Sequence, residues 1–180
     1  MGEPTCHKPV LRLVAVITRH ESALVWASQQ LVGRWGPVAL QSAAFAFEET
    51  RYYESTMGPH LSKTFLTFEP LADATELVTW KLWCNELEKE YAALGRHDES
   101  RPLNLDPGYV TPAKLVLAST KDHAHRIYLG RGIYAEITLA YRDGGWRHHE
   151  FTFPDYRRDD YQRFFTDCRK VLQAAKDGLL

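Results

Sequence analysis

Leu11-Arg12-Leu13-Val14-Ala15-Val16-Ile17 is a short, nearly continuous run of branched apolar side chains, which reads as a central strand. Outward from it, a helix is expected to begin near Glu21 or Ser22. It carries Leu24, Val25, Leu31, Val32 and Trp35 at helical spacing and ends at Gly36, before Pro37. Val38 to Phe47 reads as a second strand and Thr64 to Phe68 as a third, joined by the aromatic link from Tyr52 to Gly58. From Asp73 to Leu94 the residues Leu77, Trp80, Cys84, Leu87, Tyr91 and Leu94 recur in steps of three and four, the stripe of a helix packed on a sheet. Leu103 to Leu105 supplies a fourth strand. The resulting order, strand, helix, strand, strand, helix, strand, is that of a ferredoxin-like βαββαβ unit.

The second half of the chain extends this unit. Pro107-Gly108 reads as a turn into a short helix over Thr111 to Ser119, with Pro112 in its first turn. His125 to Leu129 is expected to be a strand. Gly132 to Tyr141 alternates, with Ile133, Ala135, Ile137 and Leu139 on one face and Tyr134, Glu136 and Thr138 on the other. Asp143-Gly144-Gly145 turns the chain into a hairpin partner, Trp146 to Phe153. A last helix, Arg158 to Lys176, buries Tyr161, Phe164, Phe165, Cys168, Val171 and Leu172. The fold class is therefore α+β with a mixed or antiparallel sheet. No internal repeat or linker interrupts it, so residues 1–180 are expected to form a single domain with residues 1–9 as a disordered end.

Composition narrows the function classes. A formal net charge of −1, without a long run of either sign, lacks the basic footprint of a nonspecific nucleic-acid binder. No stretch approaches the roughly 20 apolar residues needed to span a bilayer, and no signal pattern opens the chain, so a cytoplasmic location is expected. The three cysteines, Cys6, Cys84 and Cys168, are scattered, which argues against a disulfide framework or a cysteine zinc site. Cys84 and Cys168 fall on apolar helix faces and read as small buried hydrophobes. There is no G-x-x-x-x-G-K-[ST] loop, no G-x-S-x-G elbow and no H-E-x-x-H helix. Gly130-x-Gly132-x-x-Ala135 precedes an alternating strand where a dinucleotide fingerprint requires a helix.

Several strings nonetheless stand out together. Asn104-Leu-Asp-Pro-Gly-Tyr109, Lys114-Leu-Val-Leu-Ala-Ser119, His125-Arg-Ile-Tyr-Leu-Gly-Arg-Gly-Ile-Tyr-Ala-Glu-Ile-Thr-Leu139 and Phe153-Pro-Asp-Tyr156 resemble a bacterial domain-of-unknown-function family, number 4416. Tyr52-Tyr53, Met57-Gly58 and Lys81 with Asn85 and Glu88 extend the resemblance over nearly the whole chain. It implies a bacterial, intracellular, stand-alone protein of this size. No activity comes with the family, so it assigns no catalytic role. Cys84 stands where the family is expected to have a small polar residue.

The candidate chemistry concentrates between Asn104 and Glu136. Asn104, Asp106 and Pro107-Gly108, read as lying between a strand end and a helix start, offer backbone N–H groups to an anion. Asp106 either organises that turn or serves as a metal ligand or general base. Arg126 and Tyr128 share one strand face, as do Tyr134, Glu136 and Thr138 on the next. They form either an exposed cross-strand Arg/Glu pair or a ligand surface. His123 and His125, spaced H-x-H, place two rings on one side of an extended strand and are candidate metal ligands or surface residues. Lys81, Asn85 and Glu88 form a polar stripe on the long helix, either solvated or joining the Asp106 region.

Two functions fit. In the first, a small anionic ligand of phosphate or nucleotide type is bound. Lys114 and Arg126 neutralise it, and Asn104, Gly108, Tyr109, Tyr128 and Tyr134 orient it. Asp106 and Glu136 are then the catalytic pair, acting as base or holding a divalent metal for phosphoryl or hydrolytic chemistry. In the second, the chain is a noncatalytic protein-interaction module that presents Tyr52, Tyr53, Tyr128, Tyr134 and Tyr156 to a protein partner.

Overall fold

Leu11–Thr18 (β1) is buried along its whole length and lies inside a nine-stranded sheet, in a computed structural model that describes Gly2, Glu3 and residues 5–176. The other strands are Val38–Gln41 (β2), Phe45–Ala46 (β3), Ser62–Phe68 (β4), Asn104–Val110 (β5), Lys114–Ser119 (β6), Ile127–Gly130 (β7), Ile133–Arg142 (β8) and Gly145–His148 (β9). Their order is β2-β4-β1-β5-β6-β8-β7, with β3 beside β4 and β9 beside β8. Every pairing is antiparallel. Glu21–Trp35 (α1), Glu54–Met57 (α2), Leu77–Ala93 (α3) and Asp159–Lys176 (α4) complete the fold. No helix among the described residues is long and apolar enough to cross a membrane.

The two faces of β1 explain the layers. Val14 and Val16 join a core with Ala23, Ala27 and Leu31 of α1 and Leu77, Trp80, Cys84 and Leu87 of α3. Leu11, Leu13 and Ala15 face the other way, into a core with Tyr161, Phe165, Cys168 and Leu172 of α4. Both faces of the sheet are thus covered, which is why β1 reads as a continuous apolar run rather than an alternating one. On the α4 side Phe65 is the hub of an aromatic cluster, with Tyr156, Tyr161, Phe164 and Phe165 at ring separations of 4.9–5.8 Å. Burying such a ring contributes about 1.5–3 kcal/mol. Cys84 and Cys168 are fully buried, as their helix faces imply.

Three local expectations are corrected. The single strand over Val38 to Phe47 is two short strands, β2 and β3. They are separated at Ser42, whose N–H donates to the Phe65 carbonyl (3.0 Å) and whose Oγ accepts from the Phe65 N–H (2.9 Å). The short helix over Thr111 to Ser119 is instead strand β6. Leu115 and Leu117 pack toward α4 while Val116 and Ala118 pack toward α3, a two-sided burial whose sequence has no distinguishing period. Thr111 makes the turn into it, with Oγ1 accepting from the N–H groups of Ala113 (3.1 Å) and Lys114 (3.0 Å).

The third correction concerns β8, which changes face part-way. Leu115 pairs with Leu139 but Val116 with Ile137, so Thr138 is an extra residue in the ladder. Ile133 and Ala135 therefore pack toward α3, whereas Leu139 packs toward α4. Glu136, opposite Leu117, faces the α4 side. The Thr138 carbonyl at the irregularity accepts from Thr152 Oγ1 at 2.7 Å.

Candidate functional site

The site begins with a parting of two strands. Asn104–Val110 is one continuous strand that runs through Pro107-Gly108, so the expected turn and helix N-terminus at this point do not exist. β5 and β6 pair only at Gly108↔Leu117, Tyr109↔Val116 and Val110↔Leu115, although β5 starts at Asn104 and β6 continues to Ser119. A Cβ on Gly108 would lie 2.2 Å from the Val116 carbonyl oxygen, so only glycine permits the close approach from which the strands diverge. Beyond it, α3 takes the place of β6. Glu88 Oε1 accepts from the Leu105 N–H (2.8 Å), and Lys81 Nζ donates to the Leu105 carbonyl (2.8 Å). By strand alternation, Pro107 presents the same edge as Leu105 and lacks the N–H that would otherwise need a partner there.

The divergence opens a cleft of about 910 Å³. Its walls include Lys81, Glu88, Arg101, Asn104 and Asp106 on one flank and Leu117, Ser119, Arg126 and Glu136 on the other. Lys63, Asp155 and Tyr156 also line it, and Tyr52, Tyr53, Lys121 and Phe153 contribute further walls.

Its charges are organised as pairs. Lys81 Nζ donates to Asp106 Oδ1 at 2.9 Å, and Asn104 Nδ2 donates to Asp106 Oδ2 at 2.8 Å. Arg101 donates through Nε (3.2 Å) and Nη2 (2.8 Å) to Glu88 Oε2, and through Nη2 to Asn104 Oδ1. Arg126 Nε (2.8 Å) and His125 Nε2 (3.0 Å) meet Glu136 Oε2, while Thr138 Oγ1 donates to Oε1 at 3.3 Å. Lys63 is paired with Asp155, both almost completely buried, and its ammonium lies 4.3 Å from the Phe47 ring centroid and 4.7 Å from that of Tyr156. Such pairing is required of charges taken this far from water.

These neighbours set the protonation states. Burial pushes the Asp106 carboxyl up, but the charge and hydrogen bond of Lys81, then Lys63 and the Asn104 amide, bring it below the usual carboxylate range. Glu88 goes the other way: burial raises it, and Lys81, Arg101 and the Leu105 N–H offset this only in part. Burial opposes the charge on Lys81, yet Asp106 and Glu88 hold its ammonium above the ordinary value. Burial, followed by the Asp106 charge, raises the Tyr53 phenol. The cleft therefore contains one firmly ionised carboxylate and, nearby, one that retains its proton to higher pH.

Of the residues selected from sequence, Asn104, Asp106, His123, Arg126 and Glu136 line this cleft. Gly108 instead seals the strands at its closed end. Tyr109 lies against the α1/α3 core, and Lys114, the first residue of β6 and paired with Ala140 of β8, is not part of the cleft wall. Exposed Tyr128 and half-buried Tyr134 form a cross-strand aromatic pair at 5.1 Å, outside the cleft. His123, His125 and Arg126 precede β7 and so are not on an extended strand. The histidine rings are parallel at 5.9 Å, and that of His125 is stacked on Phe151 at 4.7 Å with Nε2 committed to Glu136. Lys81 and Glu88 join the Asp106 region rather than a solvated stripe.

No sequence motif marks Lys63 or Arg101, and Asp155 is marked only as part of the string Phe153-Pro-Asp-Tyr156. Lys63 carried a faint signal, a lysine beside an apolar strand. Arg101 carried none, because its partners come from α3 and β5.

With this geometry in place, comparison with known proteins adds one match. The family model described as Domain of unknown function (DUF4416) matches residues 8–171. No curated protein and no solved structure matches the chain.

Proposed function

The chain belongs to the DUF4416 family, and from that premise we propose that its cleft binds a small anionic ligand of phosphate or nucleotide type. One observation carries this reading. Two guanidinium groups line the same cleft, and among the described residues Arg101 uses only Nε and Nη2, and Arg126 only Nε and Nη1, in internal hydrogen bonds. Arg101 Nη1 and Arg126 Nη2 are left as donors. Planar guanidinium donors held by carboxylates suit phosphate oxygens. Each also lies near an aromatic ring, Arg101 5.8 Å from that of Tyr53 and Arg126 5.8 Å from that of Phe153. A ring-bearing ligand would find stacking surface there.

Asp106 and Glu136 act in this reading chiefly by holding Lys81 and Arg126 in place, since their carboxylate oxygens already accept from neighbours. Glu88 does the same for Arg101, its oxygens accepting from that guanidinium and from the Leu105 N–H. The strand order β2-β4-β1-β5, with α1 and α3 as crossovers, supports reading this half as a ferredoxin-like unit extended by β6 to β9.

A thermal-shift series with inorganic phosphate, sugar phosphates and nucleotides tests the proposal. A ligand at a hundred times its Kd adds about 2.7 kcal/mol, which is easily detected. Stabilisation of the parent protein that is lost in Arg101→Ala and reduced in Arg126→Lys supports it. Absence of stabilisation, or equal stabilisation of both variants, overturns it.

The interaction-module reading rests on a different surface. On edge strand β7, Ile127, Tyr128 and Leu129 are exposed, at 70%, 59% and 44%, beside exposed Ile137 of β8. An unpaired edge with apolar side chains invites strand addition. Concentration-dependent association that disappears in Ile127→Lys favours this reading; a monomer at all concentrations, with no strand-forming peptide bound, removes it.

A further inference from the structure

His20 stands between β1 and α1, while His97 and Glu99 lie in the connection from α3 to β5. The fold brings these residues together from positions almost 80 apart in the chain. One potential ligand atom from each lies within 4.8 Å of the others. His20 Nε2 is 3.0 Å from Glu99 Oε2, and the two imidazoles face each other with centroids 3.6 Å apart.

Two further observations distinguish this trio from a chance surface cluster. Glu99 and His97 each have an outer side-chain partner, and the backbone that carries His20 is itself anchored. Arg19 Nη1 donates to Glu99 Oε1 (3.2 Å), Tyr91 Oη lies 2.9 Å from His97 Nε2, and the His20 backbone N–H donates to Thr18 Oγ1 (3.1 Å). Metal-binding histidines and carboxylates are typically held by such outer contacts. All three residues are also half-buried, which leaves a side of the cluster open to solvent.

We propose that His20, His97 and Glu99 form a transition-metal site of the zinc type with an open coordination position. Two imidazoles and one carboxylate are a zinc donor set, and they select zinc, cobalt or nickel over calcium and magnesium, which take oxygen ligands. The stacked rings must tilt until their nitrogens converge, so metal binding is coupled to a small rearrangement of the two segments. The same connection carries Ser100 and Arg101 into the cleft, and the Arg101 N–H donates to the Thr56 carbonyl at 3.0 Å. A bound metal would tie this wall of the cleft to the start of α1.

Calorimetric titration of the full chain with Zn²⁺, together with the visible absorption of Co²⁺, tests the site. The expected result is saturable binding at a single site with a Co²⁺ ligand-field spectrum. His97→Ala and Glu99→Gln should each weaken binding by more than about tenfold, with unchanged far-UV circular dichroism. Glu99→Gln preserves side-chain shape and carries the test if His97→Ala does not fold. A His123→Ala/His125→Ala double variant should bind as the parent does. Absence of saturable binding, equal binding by Glu99→Gln, or loss of binding in the His123/His125 double variant overturns the proposal.

Discussion

Lys81 on α3 and Asp106 on β5 are joined at 2.9 Å where β6 has parted from β5, and the same ammonium caps the Leu105 carbonyl, which has no strand partner on that edge, at 2.8 Å. A helix side chain thus performs at this edge the hydrogen bonding that a neighbouring strand performs elsewhere. Because the Lys81 side chain is only 6% exposed and that of Asp106 28%, the pair is shielded enough to matter energetically without being sealed from the cleft.

Lys81→Met should destabilise the protein by about 3 kcal/mol, since it leaves both a carboxylate and a carbonyl without their donor. Urea denaturation measures this. The Lys81→Met/Asp106→Asn double variant should lose less than the sum of the single losses. Additive losses would show that the pair is not coupled.

Acid should act through Asp106. Burial raises its carboxyl, but Lys81, Lys63 and Asn104 outweigh that and hold it below the ordinary 3.8. A lowered folded-state value gives a contribution that is complete above the unfolded value and is lost as pH falls through the folded one. Stability measured downward from about pH 5 should therefore decline, and decline less steeply in Asp106→Asn. Glu88 has the opposite sign: raised mainly by burial, its contribution is present below the ordinary 4.5 and is lost as pH rises through the folded value. Parallel pH profiles for the parent and Asp106→Asn would refute the assignment.

Gly108→Ala tests the closed end of the cleft. Its added Cβ would meet the Val116 carbonyl oxygen at 2.2 Å and Leu117 Cδ2 at 2.7 Å, so the strands must move apart. Overpacking of this kind costs about 1–3 kcal/mol or more. A thermal midpoint within a degree or so of the parent's would mean that the approach is looser than described.

Arg12 provides a test of opposing terms. Its guanidinium lies 4.8 Å from the ring centroids of both Trp35 and Trp80, yet the buried Nε has no hydrogen-bond partner among the described residues. Cation–π attraction of about 0.5–2 kcal/mol per ring is offset by an orphaned donor costing about 1–3 kcal/mol. Arg12→Met should therefore change stability by less than about 1 kcal/mol. A loss several times larger in chemical denaturation would show that the tryptophan sandwich dominates.

Much of the local structure could be read from local pattern. β1, α1, α3, α4 and the turn at Asp143 to Gly145 follow from apolar spacing and turn residues, because those signals act within a few positions of one another. The burial of Cys84 and Cys168 follows from the same helical period. The segment from Asn104 to Glu136 was also identifiable as rich in chemistry, and five of its selected residues meet in the cleft.

Only the tertiary structure decided how that chemistry is arranged. β6 is a strand because sheet neighbours and helices cover both its faces, which removes the period that would have distinguished it from a helix. The cleft exists because β5 exchanges β6 for Lys81 and Glu88 beyond Gly108, a substitution of hydrogen-bond partners between segments some 20 residues apart. Lys63 with Asp155 and Arg101 with Glu88 become partners for the same reason: a buried charge is matched across space, and sequence spacing carries no record of that match.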